Sequence, residues 1–150
     1  MKDSLKDGIE HELKYTVPST KIVSSLYPES PEFQMMPEVF ATGFMVGLIE
    51  WACIQAVNPH IDWPFEQTVG THINVSHLAP TPPGIEIRVK TKIVKVEGRK
   101  ITFEVQARDE FDLISSGSHE RFVINAERFR SKAREKLEQK SLMSSSQRLM

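Results

Sequence analysis

The chain has 150 residues, 39% hydrophobic and 26% charged, enough apolar material for one domain with a single core and too much for a disordered chain. Its 19 Lys and Arg nearly cancel its 20 Asp and Glu, leaving a formal charge of −1, so no global positive field exists to hold nucleic acid or an anionic membrane. The single cysteine, Cys53, excludes an intrachain disulfide and a thiolate metal cage.

The amino terminus is charged throughout, and the longest apolar stretch, Val39 to Ile49, is far short of the ~20 residues a bilayer span needs. A cytoplasmic protein with one domain over residues 1–140 is expected. Residues 8–17 alternate apolar and polar, with Ile9, Leu13 and Tyr15 on one parity, and predict a first strand. Residues 21–36 carry two prolines among large apolar side chains, which predicts a loop with short helical turns that covers something. Pro37 and Glu38 suit a helix start, and the run from there to Asn58-Pro59 predicts one long helix, apolar on almost every side and therefore buried. Gly43 and Gly47 form a smooth stripe on it, suited to close approach by a strand or a second chain.

The second half is β-rich. A strand is expected over 68–79, a turn at PTPPG (80–84), and a strand over 85–96 with Ile85, Ile87, Val89 and Ile93 on one face. Glu97-Gly98 predicts a hairpin turn, Ile101, Phe103, Val105 and Ala107 a further strand, and 113–124 another. Such one-sided alternation indicates an antiparallel sheet with one solvated face. Residues 126–140 predict a charged helix, and 141–150 a frayed, disordered tail. The order describes an α+β domain, one long buried helix wrapped by an antiparallel sheet, whose open edges favour pairing into a homodimer.

Few residues stand out chemically. Glu50 follows largely apolar positions on the buried helix, where a carboxylate must be paired, hydrogen-bonded or protonated unless it faces solvent. His77 shares its parity with Val69, Ile73 and Val75; it is either a satisfied core histidine or a pocket histidine tuned for proton transfer. Thr42 either bonds the carbonyl one turn back or presents its hydroxyl to a site. Eight residues separate Thr42 from Glu50, about 12 Å of helical rise, so they share a site only if substrate spans them, the helix is irregular at Gly43, or the site crosses a two-fold axis. His11 and His60 read as solvated. His119 either points inward with Arg121 or pairs with Glu120. Metal-ligand spacing and phosphate-cradling glycine loops are absent, so no metal or bound cofactor is expected.

The runs YPESPEFQMMPEVFATGFMVGLIEWACIQA (27–56), VGTHINVSHLAPTPPG and VEGRKITFEVQARDEFDLISSGSHERFVI together resemble the fluoroacetyl-CoA-specific thioesterase family, in one order from about residue 9 to 135. The resemblance implies the hot-dog fold, a homodimer and hydrolysis of a short or small acyl-CoA thioester, with coenzyme A as part of the substrate. It implies catalytic roles for Thr42, Glu50 and His77 and an oxyanion-binding amide at Gly70. Val23, Leu26 and Phe33 match lid positions, and Arg121 an arginine near the acyl pocket. Met36 stands where the family carries a second lid phenylalanine, and a flexible methionine makes a less shaped gate. The competing expectations are a thioesterase for longer or aromatic acyl groups and a non-catalytic acyl-CoA-binding module.

Overall fold

The computed structural model describes all 150 residues. A five-stranded antiparallel sheet, in the order β1-β3-β4-β5-β2, wraps one side of the central helix. Its strands are β1 (Glu10–Thr16), β2 (Glu66–Val75), β3 (Glu86–Glu97), β4 (Lys100–Arg108) and β5 (Leu113–Asn125). Helix α1 (Pro31–Gln34) is a single turn in the covering segment, α2 (Thr42–Val57) is the central helix, and α3 (Ala126–Leu149) follows β5 directly. The expected α+β architecture is the observed one.

The core forms where the alternation predicts. Ile87, Val89, Ile93, Ile101, Phe103, Val105 and Ala107 project from β3 and β4 onto Met45, Ile49, Ala52, Cys53 and Ala56 of α2, all buried. The Lys and Glu residues between them remain on the outer face, as a one-sided sheet requires. The β3–β4 turn is Gly98-Arg99, one residue later than expected, because Glu97 still pairs with Lys100 and Gly98 takes a positive φ of 59°.

Three expectations about α2 and its surroundings need correction. The helix starts at Thr42, not Pro37. Phe40 bridges to Ile22 and its amide donates to the Thr81 carbonyl at 2.8 Å, so the chain entering α2 is held extended by partners on both sides. Those contacts override the proline signal. Nor is the helix buried all round: Thr42, Gly43, Gly47 and Trp51 are exposed in the single chain, because the sheet encloses only the opposite face. The Gly43 stripe is met at one end only, by Leu26 of the covering segment, whose Cδ2 lies 3.0 Å from where a Cβ would stand; nothing approaches Gly47.

Strand β2 ends at Val75, so His77 lies just beyond it and not within it. A bulge between Gly70 and His72 also reverses the parity: Thr68 and Gly70 share the inner face with Arg121 and Val123, whereas Val69 pairs with outward Phe122. His11 is half-buried against α2, bonded to Gln55 at 2.7 Å, and His60 is bonded to Ser4 at 2.8 Å, so neither is merely solvated. Where a frayed tail was expected from Ser141, α3 continues to Leu149, solvated along its whole outer length. No helix is long and apolar enough to cross a membrane.

Candidate active site

The notable side chains gather in two clusters on α2. At its first turn, the exposed Thr42 Oγ1 lies 2.7 Å from Nδ1 of His77. Because Thr42 opens the helix, its hydroxyl has no carbonyl one turn back within α2 to satisfy and turns outward to the histidine. His77 is positioned by the continuation of β2: the Ser76 and Leu78 amides still donate to the Ser116 and Ile114 carbonyls, at 3.0 and 2.8 Å. Its Nε2 is buried and makes no hydrogen bond. Burial holds the imidazole pKa below the usual histidine value, against an opposing pull from the backbone at Ala79. A neutral ring with one nitrogen bound to a hydroxyl and the other unengaged is equipped to move a proton.

The second cluster centres on Glu50. Its Oε2 accepts from Nη1 of Arg121 at 2.8 Å, and the pair is lopsided: Arg121 is 3% exposed, Glu50 37%. A carboxylate open to one side and gripped from the other is held in one orientation with a lone-pair face free. Gly70 on β2, paired with Arg121, provides the space: a Cβ there would fall 2.7 Å from Glu50 Oε2 and 3.2 Å from the ring of His119. Any side chain at position 70 displaces the carboxylate.

Arg121 is engaged on several sides. Its Nε donates to Thr68 Oγ1 and its Nη2 to the Thr68 carbonyl, both at 2.8 Å, and its Nη1 reaches Nε2 of His119 at 3.1 Å. His119 thus takes the inward alternative; Glu120 pairs instead with Lys100 at 3.2 Å. Thr68 is not legible in the sequence because the bulge hides which parity of β2 faces inward. The shared parity of His119, Arg121 and Val123 on β5 was the available signal for His119. Cys53, buried on α2, has its thiol pushed up to about 12 by burial and is no nucleophile.

The covering segment lies over the Thr42 end. Val23 donates its amide to Val39 at 3.1 Å, Leu26 abuts Gly43, and Phe33 packs against Tyr27 with ring centroids 5.9 Å apart. Met36, whose amide donates to the Phe33 carbonyl at 3.3 Å, is 48% exposed. Helix α2 is unbroken from Thr42 to Val57, which removes irregularity at Gly43 as a way to bring Thr42 and Glu50 together. A cleft of about 710 Å³ lies among Glu10, Lys90, Lys92 and Glu104 and includes neither cluster. No three His, Cys, Asp or Glu side chains converge as a metal site.

Residues 26–127 match the family model described as fluoroacetyl-CoA-specific thioesterase. The fluoroacetyl-CoA thioesterase of Streptantibioticus cattleyicolor is 50% identical over 136 residues, 91% of this chain and 97% of that protein. A solved structure of a fluoroacetyl-CoA thioesterase superposes with a TM-score of 0.87 at 49% identity, covering 89% of this chain and 98% of that one. A hot-dog-like protein from Thermanaerovibrio acidaminovorans shares the fold alone, with a TM-score of 0.72 at 18% identity over 87% of this chain and 91% of its own. Fold and likeness define a thioester hydrolase of the hot-dog class. Within that class, the chain belongs to the fluoroacetyl-CoA-specific thioesterase family.

Proposed function

We propose that the protein hydrolyses a small acyl-CoA thioester to the free acid and coenzyme A, using Glu50, His77 and Thr42 and the backbone amide of Gly70. The observation that carries this reading is the Glu50 carboxylate, fixed by a buried arginine beside a glycine whose missing side chain leaves the reacting space open. Glu50 supplies the carboxylate, attacking the thioester carbon itself or drawing a proton from the attacking water. The Gly70 amide stabilises the oxyanion that develops on the carbonyl. His77, poised by Thr42, takes up the proton that the attacking water gives up and passes it to the departing thiolate, so water is consumed and acid and thiol are released. The chemistry asks for no metal or bound cofactor.

We further infer that the site is assembled in a homodimer. With α2 regular, Thr42 and Glu50 of one chain stand about 12 Å apart along the axis, too far to act on one bond. The open edge of β2 and the exposed face of α2 suit pairing about a two-fold axis, with Thr42 and His77 of one protomer opposite Glu50 of the partner subunit. Leu26 and Phe33 close over a small acyl group, and the exposed Met36 leaves that gate less shaped. A cytoplasmic setting suits a substrate carried on coenzyme A.

The test is coenzyme A release from acetyl-, fluoroacetyl-, propionyl-, medium-chain and phenylacetyl-CoA by the wild type and by Glu50→Gln. Turnover of a small acyl member, reduced about a thousandfold in the variant, is expected. Preference for the long or aromatic members overturns the small-acyl assignment. Binding without turnover of any member makes the protein a non-catalytic acyl-CoA-binding module.

A further inference from the structure

We propose that Thr68 and His119 are positioning residues for the reaction, aligning the Glu50 carboxylate through Arg121. This role rests on the reading of Glu50 as the reacting carboxylate. A guanidinium as buried as that of Arg121 is costly unless its donors are met and its charge is balanced. Glu50 balances the charge with a single oxygen and cannot by itself orient the planar fork. Thr68 orients it, accepting at its hydroxyl from Nε and at its carbonyl from Nη2, two anchors on one residue that lock the plane.

His119 fixes the remaining freedom. Its Nδ1 lies 2.7 Å from the His72 carbonyl, which can only accept, so Nδ1 carries the ring proton. In the neutral ring, Nε2 is then a bare lone pair, and it accepts the second hydrogen of Arg121 Nη1, whose first goes to Glu50. The opposite tautomer turns N–H against N–H, and a protonated ring sets two cations side by side. The charged and titratable groups around His119 are Arg121 and Glu120 on β5, Glu50 on α2 and His72 on β2. Burial is the largest influence and keeps the ring neutral to lower pH than an ordinary histidine. The same Nη1 therefore serves carboxylate and imidazole at once, and Glu50 sits where the imidazole and Thr68 direct it.

Thr68→Val keeps the side-chain shape and deletes the hydroxyl acceptor; Thr68→Ser keeps the acceptor. The expected result is a fall in kcat of about tenfold to a hundredfold in Thr68→Val, with KM for the acyl-CoA changed less than about twofold, and recovery of most of the loss in Thr68→Ser. His119→Gln is expected to lower kcat in the same way. Wild-type kcat in both Thr68→Val and His119→Gln, or a loss confined to KM, overturns the role. Should either variant fail to fold, nitrogen-15 NMR of the wild-type ring decides: the Nδ1–H tautomer with a titration below the ordinary histidine range supports it, and an Nε2–H tautomer or ordinary titration overturns it. A wild type that turns over no acyl-CoA removes the functional reading and this role with it. A wild type that turns over, with both variants matching it, removes this role alone.

Discussion

Gly70 meets the tightest steric demand in the site. A methyl group at that position would lie 2.7 Å from Glu50 Oε2 and 3.3 Å from Arg121 Nη1, so the carboxylate must swing away from the guanidinium or the edge strand must shift. Gly70→Ala is therefore expected to lower kcat by about tenfold or more while the protein still folds, since a misplaced reacting group is costly in rate and the clash lies at a partly exposed side chain. Steady-state kinetics with a thermal melt checks this, and wild-type kcat in that variant contradicts it. At this scale the sequence was informative where polarity clashed with its surroundings. Glu50 stood out within an apolar run, and His77 and Thr42 carried the family's strings. Their partners were not visible. The pairing of Thr42 with His77 crosses from α2 to the segment after β2, and the grip of Arg121 on Glu50 crosses from β5, and sequence spacing encodes neither approach.

Among the elements, the alternation of β3 and β4 translated directly into the core because both strands keep one face on α2. Helix α2 lies where its apolar run predicts but starts five residues after Pro37, since the long-range bonds at Ile22 and Thr81 hold the intervening residues extended. In strand β2 the alternation predicts the face of Ile73 and Val75 but not that of Val69, since one extra residue at the bulge turns every side chain before it over. The bulge is built into the pairing of β2 with β5, and Gly117 on β5 is needed near its end. With φ of 155°, a Cβ at Gly117 would stand 2.0 Å from the Asn74 carbonyl oxygen, a backbone atom that cannot step aside. Gly117→Ala is expected to destabilise the fold by about 2–4 kcal/mol. The denaturant midpoint reads this loss, and an unchanged midpoint contradicts the close approach of β2 to Gly117.

For the whole molecule, the notable side chains form two separate clusters along one straight helix. Thr42 and His77 lie at its start, Glu50 and Gly70 two turns on, and a straight α-helix keeps them apart. An antiparallel sheet with β2 as an open edge and a helix face left uncovered supplies the surface through which a second copy can join them. The sequence points to this scale only indirectly, through open sheet edges and the smooth Gly43 and Gly47 stripe on the helix. The direct measurement is turnover by heterodimers of Glu50→Gln with His77→Ala, purified by two different tags. If Thr42 and His77 of one protomer act with Glu50 of the partner subunit, each heterodimer holds one complete site and recovers about half the wild-type turnover per dimer, although both parents are inactive. Heterodimers as inactive as their parents would contradict a site shared between two chains.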